Sequence, residues 1–433
     1  MNIKLPWLII LLVSVSLCSC SKDKDEQKPT IVVHSPGNLT QVNGLDTLLV
    51  SATISDDNII ESVSVSLRNK DDIPVLSSVS KRPKTKTYEL NIDYFFDDLQ
   101  LASGTYDLAI TASDGENTKT AYTSILYNET NRVKQGTFIV SNSPSISSIS
   151  YLDTNYIGSF YVSVSGDFLG LEVNSAEQEL IYASAKTGSF SSRNLPDKQI
   201  SWSHTIQNPL PSLYYTSIYN DGQTIYLAKR SGGIFGYHAN GNPSFSTPVN
   251  SAYFTEEMHI HNDQYFISEE RSLTGGANDR LVLYWMYSGS IHQQTALSDD
   301  VKGIFSKDNN TVVLLSNDVA LNGKVSFYEI SSSFITSPFS LNIGAITDCL
   351  EVGVGVYLVV EAGNLTLINV NNFSKTAYIP NVGAEKIWYD DLTGELYVTS
   401  GNDLSVYDFS SKALKGSYTH TSEIKDIAFW YNK

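Results

Sequence analysis

The segment Glu395–Thr399 has the sequence ELYVT, and LSVYDF follows it at Leu404–Phe409. Both segments are short apolar runs rich in strand-forming residues, and a turn separates them. The first of these runs recurs along the chain as ELIYA, TIYLA, QYFIS, VVLLS, VYLVV and ELYVT, which contain Leu180, Ile225, Tyr265, Val313, Tyr357 and Leu396. Successive copies lie 45, 40, 48, 44 and 39 residues apart, which indicates a repeated unit built from strands.

A repeat of about 43 residues made of strands and turns is typical of a β-propeller, in which each blade is one four-stranded sheet. Residues 133–433 have room for seven such blades, with six or eight as the alternatives. The chain ends in EIKDIAFWY at Glu423–Tyr431, which matches only the first strand of a repeat, whereas Gly136–Ser141 and Ser148–Leu152 match later strands. Pairing of the two chain ends would complete one blade and remove the exposed sheet edges.

Residues 29–128 form a separate region of alternating runs divided by turn-forming clusters. The predicted strands are Thr30–His34, Thr47–Ile54, Ile60–Leu67, Thr87–Ile92, Tyr106–Ala112 and Ala121–Leu126. Short strands with no helical period between them predict a β-sandwich, so the whole fold class is all-β. The segment from Gly104 to Gly115 resembles the final hairpin of bacterial Ig-like modules. That resemblance implies either a glycan-binding module or a stalk that raises the next domain.

The first nineteen residues have the features of a secretory leader: one early cation, Lys4, then an apolar run and small residues. The sequence LCSC at Leu17–Cys20 resembles the lipobox of bacterial lipoproteins, which implies that Cys20 carries the lipid. An ordinary signal peptide cleaved elsewhere is the alternative. Residues 20–28 are rich in charge and resemble the acidic export tag of Bacteroides-type surface lipoproteins. They are also consistent with a simple flexible tether.

The composition excludes several classes of protein. The formal net charge is −17, and it becomes −18 once Lys4 leaves with the leader, so nucleic acid and bare anionic membrane are disfavoured partners. No apolar run after the leader approaches the roughly 20 residues that a membrane-spanning helix needs. Cys349 is the one cysteine beyond Cys20, which leaves no intramolecular disulfide in the mature chain. Its apolar surroundings predict a buried, unreactive thiol.

The sequence does not assign a catalytic residue, a cofactor or a metal. His259 and His261 lie two residues apart, so a strand places both imidazoles on one face with Glu257. No third protein ligand is recognisable beside them, and hydrogen-bonded polar side chains are the alternative interpretation. The chain also lacks the G-x-S-x-G motif of hydrolases, and its neighbouring carboxylates would point to opposite faces of a strand.

The candidate ligand site is predicted on one face of the propeller. The loops between second and third strands are extended at Arg271–Asn278 and Asn317–Gly323, and such loops share a face with the starts of the innermost strands. The charged residues expected on this face are Lys229, Arg230, Glu257, Arg271, Lys302, Lys386 and Lys425. The six cations among them would hold an anionic group of a ligand by charge-assisted hydrogen bonds. A solvated rim whose lysines offset nearby carboxylates is the alternative.

The repeats resemble seven-bladed propellers of the YncE and NHL type. With the leader and the Ig-like module, the chain resembles the outer-membrane surface lipoproteins of Bacteroides-type bacteria. This resemblance implies a lipid-anchored protein facing the cell exterior. Because no catalytic motif is recognisable, we expect the protein to be non-catalytic. It would bind a glycan, a peptide or a corrinoid, or act as a scaffold at an outer-membrane transporter. The alternative function is a glycan-active propeller enzyme, either a glycoside hydrolase or a polysaccharide lyase.

Overall fold

A computed structural model describes residues 27–143, 146–206, 213–275, 278–337 and 343–433. The predicted signal peptide, Cys20 and most of the acidic tether lie outside these residues. Strands and turns form the described structure, and none of it is a helix with the length and apolar character of a membrane span. The contacts divide the chain into two units, Met1–Asn131 and Arg132–Lys433.

The first unit contains two β-sheets that enclose one hydrophobic core. Its strands are β1 (Thr30–Ser35), β2 (Thr40–Asn43), β3 (Thr47–Ile60), β4 (Ser62–Arg68), β5 (Val79–Lys81), β6 (Thr85–Phe95), β7 (Gly104–Ser113) and β8 (Thr118–Asn128). One sheet has the order β1-β3-β6 and the other has the order β2-β8-β7-β4-β5. Alternate residues of β3 and β4, such as Val50, Ala52 and Val65, are buried, as the period of a half-buried strand requires.

The second unit begins with three strands of one sheet and then repeats a four-stranded pattern. The strands of its first half are β9 (Lys134–Ser143), β10 (Ile146–Leu152), β11 (Gly158–Ser165), β12 (Gly170–Asn174), β13 (Glu179–Ala183), β14 (Phe190–Asn194), β15 (Ile200–His204), β16 (Tyr215–Asn220), β17 (Thr224–Lys229), β18 (Ile234–His238), β19 (Pro243–Ser246), β20 (Tyr253–His261), β21 (Tyr265–Ser272), β22 (Arg280–Trp285) and β23 (Ile291–Ala296). Those of its second half are β24 (Asp300–Ser306), β25 (Thr311–Asn317), β26 (Gly323–Glu329), β27 (Phe334–Thr336), β28 (Ile346–Gly353), β29 (Val356–Glu361), β30 (Asn364–Asn369), β31 (Ser374–Ile379), β32 (Lys386–Asp390), β33 (Glu395–Ser400), β34 (Asp403–Asp408), β35 (Leu414–Thr419) and β36 (Ile424–Tyr431).

These strands form seven four-stranded sheets within the described residues. Six sheets are consecutive in sequence, and the seventh joins the C-terminal β36 to β9, β10 and β11. The first strand of each repeat, from β12 to β36, contacts the first strand of the neighbouring sheets, so these strands form a central ring. The architecture is therefore all-β and propeller-like.

Apolar side chains fill the space between neighbouring sheets. Ile267 and Leu283 pack against Val301, Ile304 and Leu314 of the next sheet, and equivalent clusters separate the other sheets. The second strand of each sheet is buried on both faces, which explains why these strands appear in the sequence as continuous apolar runs. Such packing fixes the inner strands and the polar groups that they carry.

Candidate functional site

Charged side chains gather near the starts of the inner strands. We call this group the inner collar and define it as Glu172, Glu257, Lys302, Asp348, Lys386 and Asp426. Five of these side chains are partly buried and Lys386 is exposed, because they line the central ring rather than a packed core. Glu257 couples electrostatically with Lys302 and Asp348. Asp348 also couples with Lys386 and Asp426, and Asp426 couples with Glu172, so the group is contiguous.

Two carboxylates of the collar connect neighbouring inner strands. Asp348 Oδ2 accepts a hydrogen bond of 2.8 Å from the backbone N–H of Ile387, in the next sheet. Asp426 repeats the arrangement, since its Oδ2 accepts one of 3.1 Å from Leu171 N while its Oδ1 accepts one from Trp388 Nε1. These aspartates stabilise the ring, because each satisfies a backbone donor of a strand in another sheet.

Glu257 differs from these aspartates because its carboxylate has no hydrogen bond or ion pair within the described part of the chain. Burial raises its pKa to about 8, repulsion from Glu269 and Asp348 adds to the rise, and Lys302 opposes it. Burial and Asp426 likewise raise the pKa of Glu172 to about 8. Burial also raises the pKa of Asp348 to about 6, although a backbone hydrogen bond and Lys386 favour the charged form.

The predicted cations of the inner strands are already engaged with protein groups. Lys302 Nζ lies 3.0 Å from Asp300 Oδ2, and Lys386 Nζ donates a hydrogen bond of 2.9 Å to the carbonyl oxygen of Lys425. The ammonium of Lys425 forms an ion pair with Glu423. The structure thus brings Lys302 near Glu257 and Lys386 near Asp348. Lys425 instead directs its charge to a neighbouring carboxylate.

The predicted cations of the second strands do not reach the collar as free charges. Arg271 forms ion pairs with Glu256 at 2.9 Å, with Glu269 at 3.2 Å and with Asp300. Lys229 Nζ lies 3.9 Å from the ring centroid of Phe235, and Arg230 stacks 3.7 Å from that of Phe254. Burial also lowers the pKa of Lys229. Arg271, Lys229 and Arg230 therefore stabilise the packing of the sheets.

Three residues of the collar, Glu257, Lys302 and Lys386, were predicted on this face, whereas its other carboxylates were not. Glu172, Asp348 and Asp426 each follow the start of an inner strand, within GLEVN, ITDCL and IKDIA. A carboxylate at that place in three repeats is the sequence signal that would have identified them. The collar contains four carboxyl groups and two ammonium groups, so it differs from the cationic rim that the sequence suggested.

His259 and His261 lie near the other end of β20 and share one partner. His259 Nε2 lies 2.8 Å and His261 Nδ1 lies 2.9 Å from Ser306 Oγ. Burial, with a contribution from His261, lowers the pKa of His259 to about 4. Among the described residues, no carboxylate orients either imidazole as a hydrolytic triad requires. Across the described ranges, no group of three or more His, Cys, Asp or Glu side chains is arranged to hold a metal ion.

The raised pKa values predict that the protein is more stable at mildly acidic than at alkaline pH. Above pH 8, both glutamates are ionised in the folded protein, and Glu172 and Glu257 then lower the free energy of unfolding by their full amount. This loss disappears as the pH falls toward their ordinary pKa of 4.5. Protonation of His259 below its ordinary pKa of 6.5 acts in the opposite direction. The carboxylates should dominate, because more carboxylates than histidines have a shifted pKa. We expect the melting temperature to rise from pH 8 to about 5 in thermal scans at constant ionic strength. The slope should be smaller in Glu257→Gln, and an equal slope in both proteins would contradict the assignment.

No protein-family model matches the chain, and no curated protein matches its sequence. Among solved structures, the chain is similar to a quinoprotein alcohol dehydrogenase-like protein from Bacteroides thetaiotaomicron, with 12% identity, a TM-score of 0.46, and coverage of 94% of this chain and 99% of that one. Hydrazine synthase from Kuenenia stuttgartiensis has 12% identity and a TM-score of 0.47, over 67% of this chain and 97% of that one. A protein of unknown function from Bacteroides caccae has 12% identity and a TM-score of 0.42, and the match covers 59% of this chain and 99% of that one.

Proposed function

We propose that this chain is a non-catalytic lipoprotein of the cell surface that binds an extracellular ligand at the inner collar. The ligand is a peptide, a corrinoid or a glycan, and the protein delivers it to an outer-membrane transporter or holds it near one. The observation that carries the proposal is the carboxylate of Glu257. It is enclosed by protein and lacks a partner among the described residues, so a ligand that donates a hydrogen bond to it would satisfy it.

Substitution of this carboxylate tests the binding proposal. Full-length protein in detergent would be titrated by calorimetry with peptides, cobalamin and oligosaccharides, and Glu257→Gln would be compared with the parent. We expect at least one ligand to lose roughly tenfold in affinity, because a ligand that donates to Glu257 favours its ionised form, which the amide cannot adopt. Glu423→Gln, which changes the exposed partner of Lys425, is the matched control and should bind as the parent does. Equal binding of every ligand by parent and Glu257→Gln, or no binding at all, would contradict the proposal.

The pKa values support one alternative function, that of a glycan-active enzyme. The pKa of Glu257 is about 8 and that of Asp348 about 6, so the two carboxyls would carry different charges near neutral pH. Environments that separate the pKa values of two neighbouring carboxyls are typical of a general acid and its partner. Against this, both oxygens of Asp348 already accept backbone hydrogen bonds. Release of shortened or unsaturated sugars by the protein would favour the enzyme.

The architecture that we propose for this function is a seven-bladed propeller preceded by an Ig-like sandwich. The seven four-stranded sheets and the pairing of β36 with β9 support the blade count and the closure. The two sheets of the first unit, with their common core, support the sandwich. In the proposed arrangement, this domain serves as a stalk between the acidic tether and the propeller.

Anchoring through Cys20 is the remaining part of the proposal. Cys20→Ala removes the sulfur that would be acylated, so we expect the protein to become soluble or to keep its leader, as shown by detergent partitioning and metabolic labelling with a fatty acid. Protease treatment of intact cells would test surface exposure of the parent. Incorporation of labelled fatty acid into Cys20→Ala would contradict the assignment of the lipid to this residue.

A further inference from the structure

Four aromatic rings cluster at one edge of the sheet formed by β20, β21, β22 and β23. We call them the aromatic platform and define it as Tyr265, Trp285, Tyr287 and His292. The ring centroids of Trp285 and His292 lie 4.2 Å apart, those of Tyr265 and Trp285 lie 4.9 Å apart, and those of Trp285 and Tyr287 lie 5.7 Å apart. The rings therefore form one continuous surface.

The backbone positions these rings in three ways. Tyr265 and Trp285 lie directly opposite each other in the ladder between β21 and β22, so their side chains share a face. His292 lies at a bulge of β23, which turns its ring onto that face. Gly289 has a φ of +66° in the turn that carries Tyr287, and a Cβ there would come within 1.9 Å of Ser246 O, so the turn depends on glycine.

The platform is exposed and its polar groups are free. Tyr287 is 83% exposed, and the other three rings are partly exposed. Four tryptophans lie in the described ranges, and Trp202, Trp388 and Trp430 each donate the indole N–H to a protein oxygen. Trp285 Nε1 has no such acceptor there. The hydroxyls of Tyr265 and Tyr287 and the ring nitrogens of His292 also lack hydrogen-bond partners within the described residues.

From this arrangement we propose that the aromatic platform is a binding site for neutral glycans, separate from the inner collar. The C–H face of a pyranose ring packs on an aromatic face, while the hydroxyls around it reach the unpaired donors and acceptors at the ring edges. The net charge of −17 disfavours glycans rich in uronate or sulfate. A peptide would offer fewer polar groups per ring to meet the free N–H and O–H groups. The site does not depend on the proposed function of the collar.

The experiment uses full-length protein in detergent and calorimetric titration with neutral hexasaccharides of glucose, mannose, xylose and galactose. At least one should bind, and Tyr287→Ala should weaken it roughly tenfold, because truncation of an exposed stacking ring removes a contact of hot-spot type. Trp285→Ala should have an equal or larger effect, and Trp285→Phe, which keeps a ring, should have a smaller one. Phe160→Ala removes a ring that is 66% exposed outside the platform, so it is the matched control and should bind as the parent does.

The results of these titrations distinguish glycan binding at the aromatic platform from ligand binding at the inner collar. Unchanged glycan affinity in Tyr287→Ala and Trp285→Ala, or loss of it in Glu257→Gln instead, would overturn the platform while leaving binding at the collar intact. Binding of a proline-rich peptide but of no hexasaccharide would show a peptide site and would also overturn it. Glycan affinity that depends on Tyr287 but not on Glu257 would support the platform, even if no ligand were found for the collar.

Discussion

Removal of Glu423–Lys433 should abolish the cooperative unfolding of the second unit. The deletion eliminates β36, whose Ile424, Ile427 and Tyr431 are at most 6% exposed, and it opens the sheet that joins the two ends of this unit. Each large apolar side chain contributes about 1.5–3 kcal/mol when buried. Together, these three side chains contribute an amount comparable with the free energy of unfolding of a typical protein, roughly 5–15 kcal/mol. The freed edge of β9 would also promote aggregation.

Thermal and urea unfolding, followed by tyrosine and tryptophan fluorescence, measure this effect. Deletion of Lys433 alone is the matched control, since it leaves β36 complete, and it should change the melting temperature far less. A truncated protein that melts at the temperature of the parent in one cooperative transition would show that β36 does not hold the ring closed.

Substitution of Lys134 by methionine should cause the second large loss of stability. Lys134 Nζ lies 2.8 Å from Asp390 and 3.0 Å from Glu395, and all three side chains are at most 9% exposed. It also donates a hydrogen bond of 2.6 Å to the hydroxyl of Tyr397. Because Lys134 belongs to β9 and both carboxylates belong to the last repeat, these contacts connect the two ends of the ring.

The environment of the carboxylates shows what the cation contributes. Burial alone would raise the pKa of Glu395, but hydrogen bonds from Lys415 and Tyr156 and the charge of Lys134 hold it at about 2. Lys134→Met would leave two buried carboxylates without their shared cation, which costs about 3–5 kcal/mol. The parent should lose stability between pH 4.5 and 2 as Glu395 is protonated, and the variant should lose less over that range.

Lys415→Met is the matched control, because Lys415 binds the same Glu395 with 38% of its side chain exposed. Its loss of stability should be smaller than that of Lys134→Met, because the Lys415 ammonium is partly solvated and Lys134 still faces Glu395 and Asp390. Equilibrium unfolding in urea would compare the two variants at neutral pH. Equal losses of stability in both variants would contradict the role of the buried cation.

The sequence predicts most of the strands because their burial is regular. The runs at Ile225, Val313 and Leu396 are buried on both faces and lie in the second strand of their sheets. The predicted strands of the first unit are also present, and most have their ends extended by up to six residues. The exception is the strand predicted at Ile60–Leu67, because Ile60 ends β3 and β4 begins at Ser62. The short strands Thr40–Asn43 and Val79–Lys81 were not predicted, because their few residues have no clear alternation and pair only at a sheet edge.

The site was harder to predict, because the sequence does not show what each charge contacts. Arg271 and Lys302 lie 31 residues apart in the sequence, yet both meet Asp300 in the structure. The aromatic platform was missed for a similar reason. Trp285 belongs to an apolar run that indicates a buried strand, and its exposure follows from the bulge at His292 and from the position of both residues at the end of the sheet.

The chemical fate of a bound ligand distinguishes binding without catalysis from an enzymatic function. Full-length protein would be incubated with each ligand that it binds, and mass spectrometry would compare the recovered ligand with the starting material. We expect the ligand to be recovered intact and in stoichiometric amounts, with no new reducing ends or unsaturated products. Shortened sugars that accumulate with the parent and not with Glu257→Gln would contradict it and identify the inner collar as a catalytic site.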